Sequence, residues 1–125
     1  MPRGAAFSHT VSYNDGMEWL LFVYAPGAER PDLLGDEDWQ RIEWQSLQHP
    51  TARTVIPGLS GARKLRIRLP GRGSRSGART IYLYLMARDV IYFLATYAKN
   101  EQTDLTPDDK KILRALIERI KQGRG

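Results

Sequence analysis

Seven basic residues and no acidic one fall between Arg63 and Arg79, in a chain that holds fourteen acids in all. Lys64, Arg66 and Arg68 alternate with Leu65, Ile67 and Leu69, so a strand here would bury its leucines and isoleucine and present a wholly cationic open face. Arg72 and Arg75 follow in a glycine-rich stretch, then Arg79 and, further on, Lys99, with Tyr82, Tyr84 and Tyr97 interleaved. Guanidinium and ammonium groups bind phosphates and tyrosines stack on unpaired bases, so single-stranded RNA is the natural ligand of such a surface. The same residues also suit a solvated basic face laid over core tyrosines. Cleavage of RNA by attack of the 2′-OH on the adjacent phosphate needs a base, an acid and stabilisation of developing negative charge. A lysine serves as base when neighbouring cations disfavour its charged form, and Arg63 and Arg66 flank Lys64 in sequence.

Charge elsewhere sharpens the contrast. Residues 1–62 hold four bases against eight acids and residues 80–125 eight against six, so the excess of +5 is concentrated in one stretch. A local positive patch of this kind points to a polyanionic partner. Other chemistries have little support: there is no cysteine for a disulfide or thiolate metal site, and GxSxG, P-loop and HExxH signatures are missing. The two histidines, His9 and His49, stand apart from any carboxylate cluster. No metal or cofactor is expected. The longest apolar run, Trp19 to Ala25, is too short to span a bilayer, and MPRGAAFSHT lacks the apolar centre of a signal peptide. A cytoplasmic protein without membrane contact is expected.

The elements that must position these residues follow from periodicity. With 125 residues and 42% hydrophobic content, one domain with a real core is expected. Residues 1–16 show no clear period and end in Asn14-Asp15-Gly16, a turn signal, so they read as a flexible extension before a domain over 17–125. The run from Trp19 to Tyr24 predicts a central strand buried on both faces. GDEDWQRIEWQSLQHP then predicts a helix, with acids at its N-terminus, Trp39, Ile42 and Leu47 on one face and Pro50 as its stop. A short helical turn is expected around Asp32 to Leu34. After the cationic strand, residues 70–77 are a loop. Ala78 to Met86 and Val90 to Ala98 are two more strands, making an antiparallel meander with a tight turn between them. Thr106-Pro107-Asp108-Asp109 is a helix start, followed by a stripe of Ile112, Leu113, Leu116, Ile117 and Ile120, with Gly123 as stop. The order describes an α+β domain, a mostly antiparallel sheet with an N-terminal and a C-terminal helix packed on it.

Five motifs lie in this frame: Gly58-x-x-Gly61-x-Arg63-Lys64-Leu65-Arg66, Pro70-Gly71-Arg72-Gly73, Ser76-Gly77-Ala78-Arg79-Thr80-Ile81-Tyr82, Tyr97-Ala98-Lys99-Asn100-Glu101 and Leu105-Thr106-Pro107. In order and spelling they resemble HigB-like toxins of the RelE/ParE superfamily, the toxin components of bacterial type II toxin-antitoxin modules. The likeness runs from about Trp19 to Ile120. It implies a RelE-like fold and a ribosome-dependent mRNA endonuclease that cuts the codon in the ribosomal A site and inhibits translation. It also implies neutralisation by a cognate antitoxin, HigA-like and of helix-turn-helix type. Carried over by motif, Lys64 is the candidate general base. Arg66 and Arg79 would meet phosphate and transition-state charge, Lys99 would stabilise charge or donate a proton, and Tyr97 would be their neighbour. Arg63, Arg68, Arg72, Arg75, Tyr82 and Tyr84 would contact RNA around them.

Two departures accompany the resemblance. Gly73-Ser74-Arg75-Ser76-Gly77 sets its base one residue later than the lysine common in these toxins. Simple alternation places Arg79 with Ile81, Leu83 and Leu85 on an apolar side, so a bulge near Gly77-Ala78 is expected to turn it toward the cationic face. Two rivals stand beside the nuclease. One is a ParE-like toxin that acts on a protein such as DNA gyrase without cutting RNA, and the other is a non-catalytic RNA-binding protein. Fold alone does not separate them. Because residues 1–16 carry no core-forming period, their deletion is expected to leave thermal stability nearly unchanged, as a melting curve of the shortened chain would measure.

Overall fold

The computed structural model describes residues 8–14, 18–69 and 77–123. Its strands are β1 (Ser8–Asn14), β2 (Glu18–Tyr24), β3 (Thr54–Val55), β4 (Arg63–Ile67), β5 (Ala78–Leu85) and β6 (Val90–Ala98), and its helices α1 (Asp36–Gln48) and α2 (Pro107–Lys121). The strands form one sheet in the order β1-β2-β6-β5-β4-β3. Every pairing is antiparallel except that of β2 with β6, which is parallel. The expected α+β class, the mostly antiparallel sheet and the two helices are thus present, and β4, β5 and β6 form the expected meander.

Both faces of β5 are buried, because alternate residues enter different cores. Tyr82 joins Leu20, Phe22, Tyr24, Phe93 and the α1 residues Trp39, Ile42 and Leu47. Ile81 and Leu83 join Leu94 and the α2 residues Leu113, Ile117 and Ile120. Side chains alternate along a strand, so the two helices lie on opposite faces of the sheet. The α1 side is aromatic: Trp39 meets Tyr24 edge-on at 5.0 Å and Phe93 at 5.2 Å, and Phe22 stacks on Phe93 at 5.9 Å. The Trp39 indole donates to Glu29 O at 2.8 Å, so its polar end is satisfied. Tyr24 donates to Glu43, and burial first, then this bond, raises its phenol far above the usual tyrosine range.

On the α2 side, Leu113, Ile117 and Ile120 are fully inside and each contributes on the order of 1.5–3 kcal/mol of burial. Ile112, expected on the same stripe, is exposed, because at this crossing the helix faces the sheet through positions 113, 117 and 120. Gly123 has φ +83°, the left-handed conformation of a helix stop.

Three details differ from the sequence reading. Residues Ser8–Asn14 are a strand, paired from Ser8↔Tyr24 to Asn14↔Glu18, not a loose extension. His9, Val11 and Tyr13 alternate with Ser8, Thr10 and Ser12, a period obscured by short polar residues. Deleting residues 1–16 therefore removes an edge strand, and a loss of stability replaces the expected neutrality; residues 1–7 and 15–16 lie outside the described residues. Residues 31–33 form a turn, without a helix. The short strand β3 pairs only with Arg63 and Lys64 and had no periodic signal of its own.

The start of α2 is built as its sequence requires. Asp109 N donates to Thr106 Oγ1 at 3.0 Å while Thr106 N donates to Asp109 Oδ2 at 2.9 Å. Thr106→Ala should cost about 1 kcal/mol in thermal unfolding. The bond from Thr106 N, then that from Gln102, holds the Asp109 carboxyl below its usual range, and Arg30, then Ala98 N, does the same for Glu101. Their stabilisation is present above the ordinary carboxylate pKa of about 4 and is lost as pH falls through the lower folded values. Melting temperature should therefore decline on acidification below roughly that pH, and Asp109→Asn should flatten the decline.

Candidate functional site

The register of the meander decides where the cations go. Arg66 on β4 stands opposite Arg79 on β5, and Arg79 stands opposite Tyr97 on β6. Lys64 stands opposite Ile81, which in turn faces Ala95. Directly opposed residues share a face, with Cβ atoms about 4.5–5.5 Å apart. Lys64, Arg66, Arg79 and Tyr97 therefore emerge on one side of the sheet, the side that α2 covers further along at Ile81 and Leu83.

Arg79 does share its face with Ile81 and Leu83, as simple alternation expects, and that face is also the cationic one. No bulge near Gly77-Ala78 is needed. The irregularity falls between Ile81 and Tyr82, where Ile81 pairs with Ala95 and Tyr82 with Phe93, leaving Leu94 as the extra residue of β6. Gly77 has another role. A Cβ there would lie 2.6 Å from Ile67 O, and its own carbonyl accepts Lys99 N at 2.8 Å, so it holds the start of β5 close to β4 and to the residue after β6. Lys99 is exposed, two residues beyond Tyr97.

A carboxylate that sequence reasoning missed stands among these groups. Asp104 Oδ1 is 3.8 Å from Lys64 Nζ, forming an ion pair, and also accepts Leu105 N at 2.8 Å. Gln102 Nε2 donates to Asp104 O at 2.8 Å and Asp109 Oδ2 at 3.0 Å, fixing the connection between β6 and α2. The signal was an acid just before Leu105-Thr106-Pro107, but only the sheet brings it to Lys64. Tyr97 is buried and its hydroxyl has no hydrogen-bond partner among the described residues. Burial raises its phenol, Asp104 adds to the rise, and Arg79 opposes it. Among the described residues, Arg79 Nη1 bonds only its neighbouring Ala78 O, at 3.0 Å. Among the described residues there is no cluster of metal-ligating groups.

The residues expected to contact RNA around these groups divide. Arg68 is exposed just past the end of β4, two residues beyond Arg66. Arg63 lies on the opposite face from Lys64 and is engaged structurally, donating to Thr51 O at 3.0 Å and Arg53 O at 2.7 Å. Tyr82 is 1% exposed, lies in the aromatic core and donates to Pro50 O at 2.8 Å, so it is unavailable for stacking on a base. Tyr84 packs half-buried against that same core, away from Lys64. Tyr82 is thus scaffold, because every second residue of a strand buried on both faces enters the α1 core. Arg72 and Arg75 lie outside the described residues.

Five residues of this site fall within a longer match. The family model described as the RelE toxin of the RelE/RelB toxin-antitoxin system matches residues 58–123, more than half of the 125 residues. The chain belongs to the RelE toxin family. It is thereby a toxin of a toxin-antitoxin system, and the match spans β4 to α2, the segment that carries Lys64, Arg66, Arg79, Tyr97 and Lys99. In this RelE family toxin no helix of the described residues is long and apolar enough to cross a membrane. Tyr82→Phe should separate scaffold from site: loss of one buried hydrogen bond should cost about 1 kcal/mol of stability. Growth arrest by the folded variant should match that of the wild type when the two are expressed side by side.

Proposed function

We propose that this RelE family toxin is a HigB-like, ribosome-dependent mRNA endonuclease that cuts the message in the ribosomal A site and halts translation. The observation that carries the reading is the convergence of Lys64, Arg66, Arg79 and Tyr97 on one sheet face from three neighbouring strands. In this reading Lys64 takes the proton of the 2′-OH, whose oxygen attacks phosphorus while the bond to the 5′-oxygen breaks. Arg66 and Arg79 hold the phosphate and the charge that grows on its free oxygens. Lys99 stabilises charge or donates the proton that the leaving 5′-oxygen takes up, and Tyr97 supports Arg79 across the β5/β6 pair. Asp104, paired with Lys64 in the free toxin, must part from it before Lys64 can act as the base.

Reliance on the ribosome has a physical reason. The site combines cations, a phenol and one carboxylate, with no imidazole in it, whereas His49 is exposed at the far end of α1. Without a group that ordinarily titrates near neutrality, the reaction depends on strict alignment of the 2′-oxygen with the breaking bond, and a ribosome-held codon supplies that alignment. A HigA-like helix-turn-helix antitoxin with an acidic or amphipathic segment would cover the same face in the cytoplasm, with binding that weakens as salt rises.

The test uses purified ribosomes programmed with a defined message, assayed beside the free message. The wild type should cut the former only. Lys64→Ala should lower the cleavage rate by about a hundredfold or more while weakening ribosome binding only a few fold, since it removes one cation among several. Inhibition of gyrase supercoiling with no RNA cut would replace this reading by the ParE-like one.

A further inference from the structure

Beyond the face that holds Lys64 and Arg79, the edge of the sheet opens into a groove of about 380 Å³, lined by Arg41, Ile42 and Gln45 of α1 and by Arg66, Ile67 and Arg68. Its existence follows from topology. β3 pairs only with Arg63 and Lys64, so from Leu65 onward β4 has no neighbour on its outer side among the described residues. Arg41 and Gln45 are four residues apart and so share one face of α1. Ile42 and Ile67 are buried and form the floor. Among the described residues, three guanidinium groups and one amide line the groove, and no carboxylate does. Arg41 is braced by Asp38 at 3.0 Å, and the nearby Glu43 is taken up by the Tyr24 hydroxyl. Neither Arg66 nor Arg68 forms an ion pair among the described residues.

These cations come from two elements, α1 and the end of β4, and Arg66 belongs both to this groove and to the face that carries Arg79. We infer that the groove between α1 and the free edge of β4 binds the phosphodiester backbone of RNA adjoining the phosphate held at Arg66 and Arg79. Arg68 and Arg41 meet successive phosphates, and Gln45 hydrogen-bonds a ribose 2′-OH or a base edge. The inference rests on the reading of this toxin as an RNA nuclease and extends its RNA surface to a helix that the motifs of the site do not include. An acidic protein segment would meet the same charges, but the groove shares Arg66 with the face that carries Arg79, which favours RNA.

Binding measurements on the full-length toxin test this separately from catalysis. The wild type, Arg41→Ala/Arg68→Ala and Gln45→Ala are titrated against ribosomes without message and against a short single-stranded RNA, over a range of salt. The double variant should bind at least one of these RNAs about tenfold more weakly, with the slope of log affinity against log salt reduced by roughly 1.4, at about 0.7 for each phosphate no longer neutralised. Gln45→Ala should weaken binding without changing the slope. A loss confined to ribosomes identifies the strand as ribosomal RNA, and an equal loss on the free oligonucleotide identifies it as message; either supports the groove. Unchanged affinity for both RNAs, with an unchanged melting temperature, overturns it, and weakened antitoxin binding in that same variant would assign the groove to a protein. Cleavage of programmed ribosomes by the wild type is scored in parallel. Cleavage with a variant that binds RNA normally sinks the groove alone, whereas variant-sensitive binding without any cleavage sinks the nuclease reading alone.

Discussion

The position of Arg79 opposite both Arg66 and Tyr97 is the constraint on which the site depends. Strand pairing at this point fixes the face of three side chains at once, and a slip of one residue would send Arg79 into the α1 core and Ala78 out of it. The slip is blocked from both sides. Tyr82, Phe93 and Trp39 fill one face, Ile81, Leu83 and Ile117 the other, so no register but this one buries both sets. The cationic end of the α2 face can stay open because the same face is already covered further along the strands.

A concentration of like charge must be held by something other than its own attraction. Here the connection between β6 and α2, which bears Lys99 and Asp104, is tied down from outside. Arg30 donates to Glu101 at 2.9 and 3.0 Å, to Asp32 at 2.8 and 2.9 Å, and to Thr96 O at 3.2 Å. Its backbone takes φ +48°, an uncommon value for a residue with a side chain, within the turn from which Leu33 N and Leu34 N both return to Arg30 O. The carboxyls of Asp32 and Glu101 are held below their usual range, chiefly by this guanidinium. The result is a charge network beside the basic face, in which acids are consumed by structure and so do not neutralise the cations.

Much of this was legible in the sequence where a single period governs a segment. The helix over Asp36–Gln48, the capping box of Thr106 and Asp109, and the alternation of Lys64 to Leu69 all follow from local patterns that tertiary packing reinforces. Legibility failed where a residue answers to two neighbours. Tyr82 has the composition of an RNA-stacking residue, but its place opposite Arg63 puts it in the core, and only pairing reveals that. Arg63 likewise reads as one more base until its hydrogen bonds to Thr51 and Arg53 are seen. Asp104 is invisible as part of the site, because nothing local links it to Lys64, forty positions earlier in the chain. The parity of Arg79 was a difficulty only under the assumption of a sheet covered on one side.

The parallel pairing of β2 with β6 has a consequence for how the chain comes to be active. Leu21 finds its partner only at Val90 and Tyr24 only at Phe93, so the aromatic cluster of Tyr24, Trp39 and Phe93 cannot close until most of the polypeptide exists. Pairings of such long sequence separation make folding slow, since the loop must be closed before they return any stability. During vectorial synthesis the first two strands can form only a hairpin with one unfilled edge, while the cationic strand is made before the strand that bears Tyr97. A nascent chain therefore passes through its ribosome as an unassembled set of parts, and the face that carries Lys64, Arg66, Arg79 and Tyr97 is completed only after β6 has left the exit tunnel.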